Sequence, residues 1–244
     1  MKTLVKMILL SSFCVNAYSA TPYYRFWRGF MEVSIGESKF LDGLNEIFIP
    51  KTVEQGKNDG LISYLPVLPK RDKPSFIPDE LALVTYESEK RYRELRKKPH
   101  GSSYQKLHWE YFEKGKSKSL VPQKWSGNAQ FEEAYDVLQS EANWQNGFTR
   151  FLIQIRADGI SDSEYLNSIE KLIRNKYENA NDLGIRSYLV LVSKSAVYEY
   201  ILSDSSASFE TRQVGLVLHT SMPARKDNLS IKYGEGVSRQ FIFR

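Results

Sequence analysis

Asn58-Asp59-Gly60-Leu61-Ile62-Ser63-Tyr64-Leu65 returns later in the chain, with one inserted residue, as Asn181-Asp182-Leu183-Gly184-Ile185-Arg186-Ser187-Tyr188-Leu189. A repeat of this kind decides the reading of everything around it. Both copies run on through apolar residues to a lysine, Lys70 or Lys194. Upstream, Tyr23-Tyr24-Arg25-Phe26-Trp27 lies over Phe148-Thr149-Arg150-Phe151-Leu152. Between these anchors Phe40-Leu41 lies over Tyr165-Leu166, and Leu44, Ile47 and Phe48 lie over Ile169, Leu172 and Ile173. Separate anchors in one register imply a tandem duplication.

Each copy reads as the same series of elements. Tyr23 to Met31 and Phe148 to Ile155 are aromatic or β-branched enough for strands. Ser34 with Glu37, and Ser161 with Glu164, have the spacing of a helix-capping box. Apolar residues then recur at helical spacing: Phe40, Leu41, Leu44 and Phe48 in the first copy, Leu166, Ile169, Leu172, Ile173 and Tyr177 in the second. Pro50 is expected to end or kink the first helix. Gly60 and Gly184 suit the turn into second strands at 61–68 and 185–192. Third strands are expected at 81–86 and 197–202. Segments at 134–138 and 214–219 are expected to complete a four-stranded sheet in each half.

Strand–helix–strand–strand–helix–strand is the ferredoxin-like order, whose sheet has one bare face. Two tandem copies can bury those faces on each other. The expected fold is therefore α+β: two tandem ferredoxin-like βαββαβ units packed sheet to sheet as a pseudo-dimeric α+β barrel. In element order and duplication it resembles the dimeric α+β barrel superfamily, which includes small cofactor-free monooxygenases, EthD-like and NIPSNAP-like proteins. The expected division is 1–20 as signal peptide, 21–140 as first repeat and 141–244 as second repeat. The sequence leaves the oligomeric state open, and a monomer that is its own pseudo-dimer is consistent with it.

The first twenty residues have a secretory layout: Lys2 and Lys6, an apolar run from Met7 to Val15, then small Ala17, Ser19 and Ala20. A periplasmic or secreted protein is expected. Cys14 is the only cysteine, so the sequence beyond it has no disulfide, no thiol chemistry and no cysteine metal ligand. The net charge of +5 is spread among acidic residues; nucleic acid is not an expected partner, and no segment is long and apolar enough to span a membrane. Three histidines, His100, His108 and His219, make no zinc spacing, and no metal site is expected.

The halves diverge after the second strand. The first carries Pro66, Pro69, Pro74 and Pro78, then a helical region from Ser88 to Lys114 broken near Pro99-His100-Gly101. Tyr104, Leu107, His108, Tyr111 and Phe112 fall on one face of that region. His108 among aromatics suits a general base, a haem ligand, a polar anchor, or a satisfied core histidine. A pocket lined by His108, Tyr111, Trp27, Tyr64, Tyr86 and Tyr92 would suit a small apolar or aromatic ligand. Residues common to both halves, such as Arg25 and Arg150, read first as structural. No hydrolase elbow, phosphate loop or dinucleotide fingerprint is present, so no motif fixes a reaction or a cofactor. Two functions are consistent with this: an exported protein that binds a small apolar ligand or a partner through its first half, or, as the resemblance allows, a cofactor-free or haem-handling monooxygenase-type enzyme.

Overall fold

The computed structural model describes residues 21–69, 73–139, 148–204, 220–223, 237–238 and 241–242. Residues 1–20, expected to form a signal peptide, and the stretch 214–219 with His219 lie outside the described residues.

In the first half β1 (Tyr23–Gly29) leads through a short 3-10 turn to α1 (Glu37–Gly43), a π turn at Leu44–Phe48, and α2 (Ile49–Asp59). Then come β2 (Leu61–Leu68), β3 (Glu80–Tyr86), α3 (Glu89–Lys97), α4 (Pro99–Tyr111) and β4 (Lys118–Leu120). Two short strands, β5 (Gln123–Lys124) and β6 (Glu133–Asp136), come after them. The second half has β7 (Phe148–Ile155), α5 (Asp162–Glu178), β8 (Ile185–Val192), β9 (Ala196–Ser203) and β10 (Thr220–Pro223). The last strands are β11 (Val237–Ser238) and β12 (Phe241–Ile242).

Both sheets have the ferredoxin-like order. In sheet 1 it is β2-β3-β1-β4, and in sheet 2 it is β8-β9-β7-β10. The ladders reproduce the sequence register: Arg25 stands opposite Val84 and Val84 opposite Tyr64, while Arg150 stands opposite Ile201 and Ile201 opposite Tyr188. Even the irregularities coincide. A register shift falls between Leu61 and Ser63, and its twin between Ile185 and Ser187. Before each, a glycine with positive φ, Gly60 at 78° and Gly184 at 60°, makes the turn that a Cβ would strain.

One expectation is corrected. The segment at 134–138 does not complete sheet 1: β6 pairs antiparallel with β8 in sheet 2. In return β11 and β12, from late in the sequence, pair with β2 in sheet 1. The fourth strand of sheet 1 is β4, and each half lends its trailing strand to the outer edge of the other half's sheet.

Strand alternation divides the core into three layers. Tyr24, Phe26, Leu65, Leu81 and Leu83 of sheet 1 meet Phe151, Ile153, Leu189, Leu191, Tyr198 and Tyr200 of sheet 2 between the sheets. Both faces of each sheet are covered, which is why β8 reads as an almost unbroken apolar run. The Tyr200 hydroxyl donates to the Leu65 carbonyl at 2.9 Å, satisfying a polar group in that seam. Trp27, Tyr64 and Tyr86 face α1–α4 on the outside of sheet 1, and Tyr188, Val190 and Ile201 face α5 outside sheet 2.

The two helices after the first strand differ. Ser161 and Glu164 form the capping box of α5, but Ser34 lies in the 3-10 turn and Gly36 caps α1 without a side chain. Pro50 does not end its helix. It sits in the first turn of α2, directly after the π turn. Widening the turn accommodates a residue with no N–H and a ring that would press on the preceding turn.

Candidate functional site

Between α5 and sheet 2, Lys176 and Glu199 form a buried ion pair, with the Tyr188 hydroxyl donating to the same carboxylate at 2.6 Å and Gln154 to its other oxygen at 2.6 Å. Both oxygens of Glu199 are thus engaged, and the layer is closed.

The same place in the first half is open, and the reason lies in α1–α2. The register that sets Phe40 on Tyr165 and Phe48 on Ile173 sets Lys51 on Lys176. From Phe40 to Gly60, however, the first half is one residue longer than the second from Tyr165 to Gly184. The π turn absorbs that residue and rotates the helix beyond it. Lys51 is exposed, and Thr52 is buried in its stead. The Thr52 hydroxyl donates to the Phe48 carbonyl at 2.9 Å and accepts from Tyr104. A short hydroxyl replaces a long ammonium, and a cavity of about 260 Å³ remains between sheet 1, α3 and α4.

Its wall holds Trp27, Tyr64, Tyr86, Tyr92 and His108, five of the six residues that the sequence suggested. Tyr111 is not with them. It closes α4 on the other side and packs on Gly43, where an added Cβ would come within 1.9 Å of its ring. Phe48, Thr52, Glu80, Tyr104, Arg25 and Arg96 also line the cavity and were not singled out as site residues in the sequence.

Glu80 is the least expected of these. In the sequence it directly follows Pro78-Asp79 and precedes the strand expected at 81–86. Asp79 accepts from the distant Met31 amide at 2.7 Å, while Glu80 opens β3 and is wholly buried. Trp27 Nε1 donates to one of its oxygens at 2.9 Å and the Tyr64 hydroxyl to the other. Neither donor carries a charge. Burial therefore prevails over the two hydrogen bonds and lifts the Glu80 carboxyl from its ordinary 4.5 to about 7. The signal available beforehand was a carboxylate directly preceding an apolar strand.

His108 is shifted the other way. Burial lowers it to about 4, against a hydrogen bond to the Tyr104 carbonyl that favours the proton. The ring is neutral near pH 7. A carbonyl only accepts, so the 2.9 Å contact places the proton on Nδ1 and leaves Nε2 as an acceptor. Trp27, Phe48 and Tyr104 stand edge-on around the ring, with centroids 4.7–5.2 Å away. An Nε2 lone pair is also a metal-ligand type. Among the described residues no group of three or more His, Asp or Glu is placed to hold a metal ion, and no helix is long and apolar enough to cross a membrane.

Two ferredoxin-like units closed face to face, with a helix-covered aromatic cavity on one of them, define a single-chain protein of the dimeric α+β barrel class. No family model matches the sequence, and no curated protein matches it. Solved structures do. An anthrone oxidase-like protein aligns with 90% of this chain and 89% of its own at 12% identity and a TM-score of 0.39. A protein named for monooxygenase activity from Lactobacillus acidophilus NCFM covers 77% of this chain and 79% of its own at 9% identity and a TM-score of 0.38. A mutant chlorite dismutase from Candidatus Nitrospira defluvii covers 78% and 79% at 12% identity and a TM-score of 0.34.

Proposed function

We propose that the protein is exported and that its first half binds a small aromatic compound of one or two rings between sheet 1 and α4. The observation that carries this reading is the cavity itself, lined by Trp27, Tyr64, Tyr86 and Tyr104 and containing a neutral histidine with one acceptor nitrogen. Aromatic walls supply most of the affinity, and a few polar groups orient the ligand. Export is supported by the layout of residues 1–20 and by the absence of cysteine beyond Cys14. Thermal unfolding with indole, 2-naphthol and naphthalene, together with quenching of tryptophan fluorescence, tests binding. No stabilisation and no quenching by any of the three overturns it. Sequencing the N-terminus of exported material tests the address, and a retained Met1 defeats it.

A second reading, proton-transfer catalysis on the bound ring, is favoured by one observation. Glu80 and His108 both touch Trp27, and their environments push the two groups in opposite directions. Such divergence is how one site keeps an acid and a base together near neutral pH. Slow hydrogen–deuterium exchange at an acidic C–H of the bound ligand, with His108 Nε2 as the base that faces it, abolished in His108→Gln, is the expected sign.

A further inference from the structure

Two guanidinium groups converge on one ring at the rim of the cavity. Arg25 lies 4.7 Å and Arg96 5.8 Å from the centre of the Tyr92 ring, and both line the cavity. Arg25 comes from β1 and, among the described residues, donates only to Ser119, through Nε to its hydroxyl at 2.9 Å and through one terminal nitrogen to its carbonyl at 3.3 Å. Arg96 comes from α3 and donates to the Tyr92 hydroxyl at 3.0 Å. Among the described residues neither forms an ion pair. Elsewhere on α3 the arginines are neutralised: Arg93 by Glu89 at 2.7 Å and Arg91 by Glu87 at 3.2 Å. The two arginines that face the cavity thus have no carboxylate partner among the described residues.

The other charges of the lining do not cancel them. Lys118 adds a third cation, 3.9 Å from the nearest carboxylate, Glu132. Glu80 is sealed beneath Trp27 and Tyr64, with both oxygens already engaged. His108 is neutral. The remaining titratable groups of the lining are tyrosines, and burial raises Tyr64, Tyr86 and Tyr104 above their ordinary value. A cavity with three cations at its rim and a closed carboxyl at its floor is matched to an anion. Guanidinium groups favour planar oxyanions, to which they donate two parallel hydrogen bonds.

Resting on the binding role proposed above, we propose that the ligand is an aromatic carboxylate, its charged end between Arg25 and Arg96 and its ring against Trp27 and Tyr86. A neutral ring would leave the guanidinium groups uncompensated, and an aromatic amine would be repelled at the rim.

Calorimetric titration with three probes sharing one ring system tests this: 2-naphthoate, 2-naphthylmethanol and 2-naphthylmethylammonium. The expected order is naphthoate first, the alcohol well behind, the ammonium last, with the naphthoate advantage shrinking at high salt. Arg96 is exposed, so Arg96→Gln leaves the fold intact. Arg96→Gln is expected to weaken naphthoate about tenfold, the scale of one charged hydrogen bond, and to leave the alcohol unchanged. Arg25→Gln should do the same. If the alcohol or the ammonium binds as well as naphthoate, or if naphthoate binds Arg96→Gln unimpaired, the carboxylate assignment is wrong while the cavity stands as a site. If none of the three binds, the cavity reading fails and this inference with it.

Discussion

The Trp27 indole donates its N–H to the Glu80 carboxylate at 2.9 Å, and the His108 ring stands edge-on to the same indole, 5.2 Å away between centroids. One side chain thus links a carboxyl raised to about 7 with an imidazole lowered to about 4. For Glu80 the folded state holds its proton more tightly than the unfolded one, so its stabilising contribution is full below 4.5 and is lost as pH rises toward 7. For His108 the contribution is present above 6.5 and is lost as pH falls toward 4. The slopes oppose each other over most of the same window, so the wild-type profile should be nearly flat there. Glu80→Gln should unmask stability that rises with pH, and His108→Gln stability that falls. Each slope is worth at most about 3 kcal/mol. Urea unfolding at several pH values checks the signs, and two variants with parallel profiles would refute them.

Thr52→Lys restores to the first half the residue type that Lys176 provides in the second. The new ammonium should reach toward Glu80 and fill the cavity. Ligand binding should disappear while the melting temperature holds or rises, and the rise in the Glu80 pKa should be abolished. Retained binding would mean that the missing lysine is not what opens the cavity.

Lys176→Met leaves Glu199 buried at 0% exposure with only neutral donors. An uncompensated buried charge costs about 3–5 kcal/mol. The double variant Lys176→Met with Glu199→Gln should recover most of that loss. Equal stability of single and double variants in urea would contradict the burial of the pair.

Asp59 ends α2 and holds the start of α4, binding Lys98 at 2.5 Å and His100 at 2.6 Å while its own side chain is 2% exposed. Burial would raise its carboxyl, but the hydrogen bonds and charges of Lys98 and His100 outweigh that and hold it below its usual value. Its contribution is therefore present at neutral pH and lost on acidification. Asp59→Asn should cost about 1–3 kcal/mol at pH 7, and should weaken ligand binding because α4 forms one wall of the cavity. Unchanged stability and binding would show that the latch is idle.

Much of this was legible in the residues. The repeated anchors set the strand register to the residue, because the alternation of side chains and a glycine turn constrain both copies alike. The destination of β6 was not legible, since alternation tells which face a strand buries and not whose edge it joins. Glu80 was hidden by Pro78-Asp79, which make its position look like a turn. Tyr111 was grouped with His108 because helical spacing defines a face, whereas the cavity uses only the part of that face over sheet 1. The exposure of Lys51 was beyond reach of any fixed period, because one extra residue in a helix resets the phase of every later one.

The reciprocal lending of β6 and of β11–β12 bears on how the molecule is made. Sheet 1 begins before sheet 2 during synthesis but is completed after it, because β11 and β12, which border β2, follow the strands of sheet 2 in the chain. Its early partners leave that border unpaired until β11 and β12 have been made, a template for association with another molecule in the meantime. The same exchange makes the halves inseparable as working parts. A cut between them leaves each sheet short of a strand carried by the other fragment, so two fragments should regain the fold only by recombining, much as two copies of a single-unit ancestor would have done before their genes were joined.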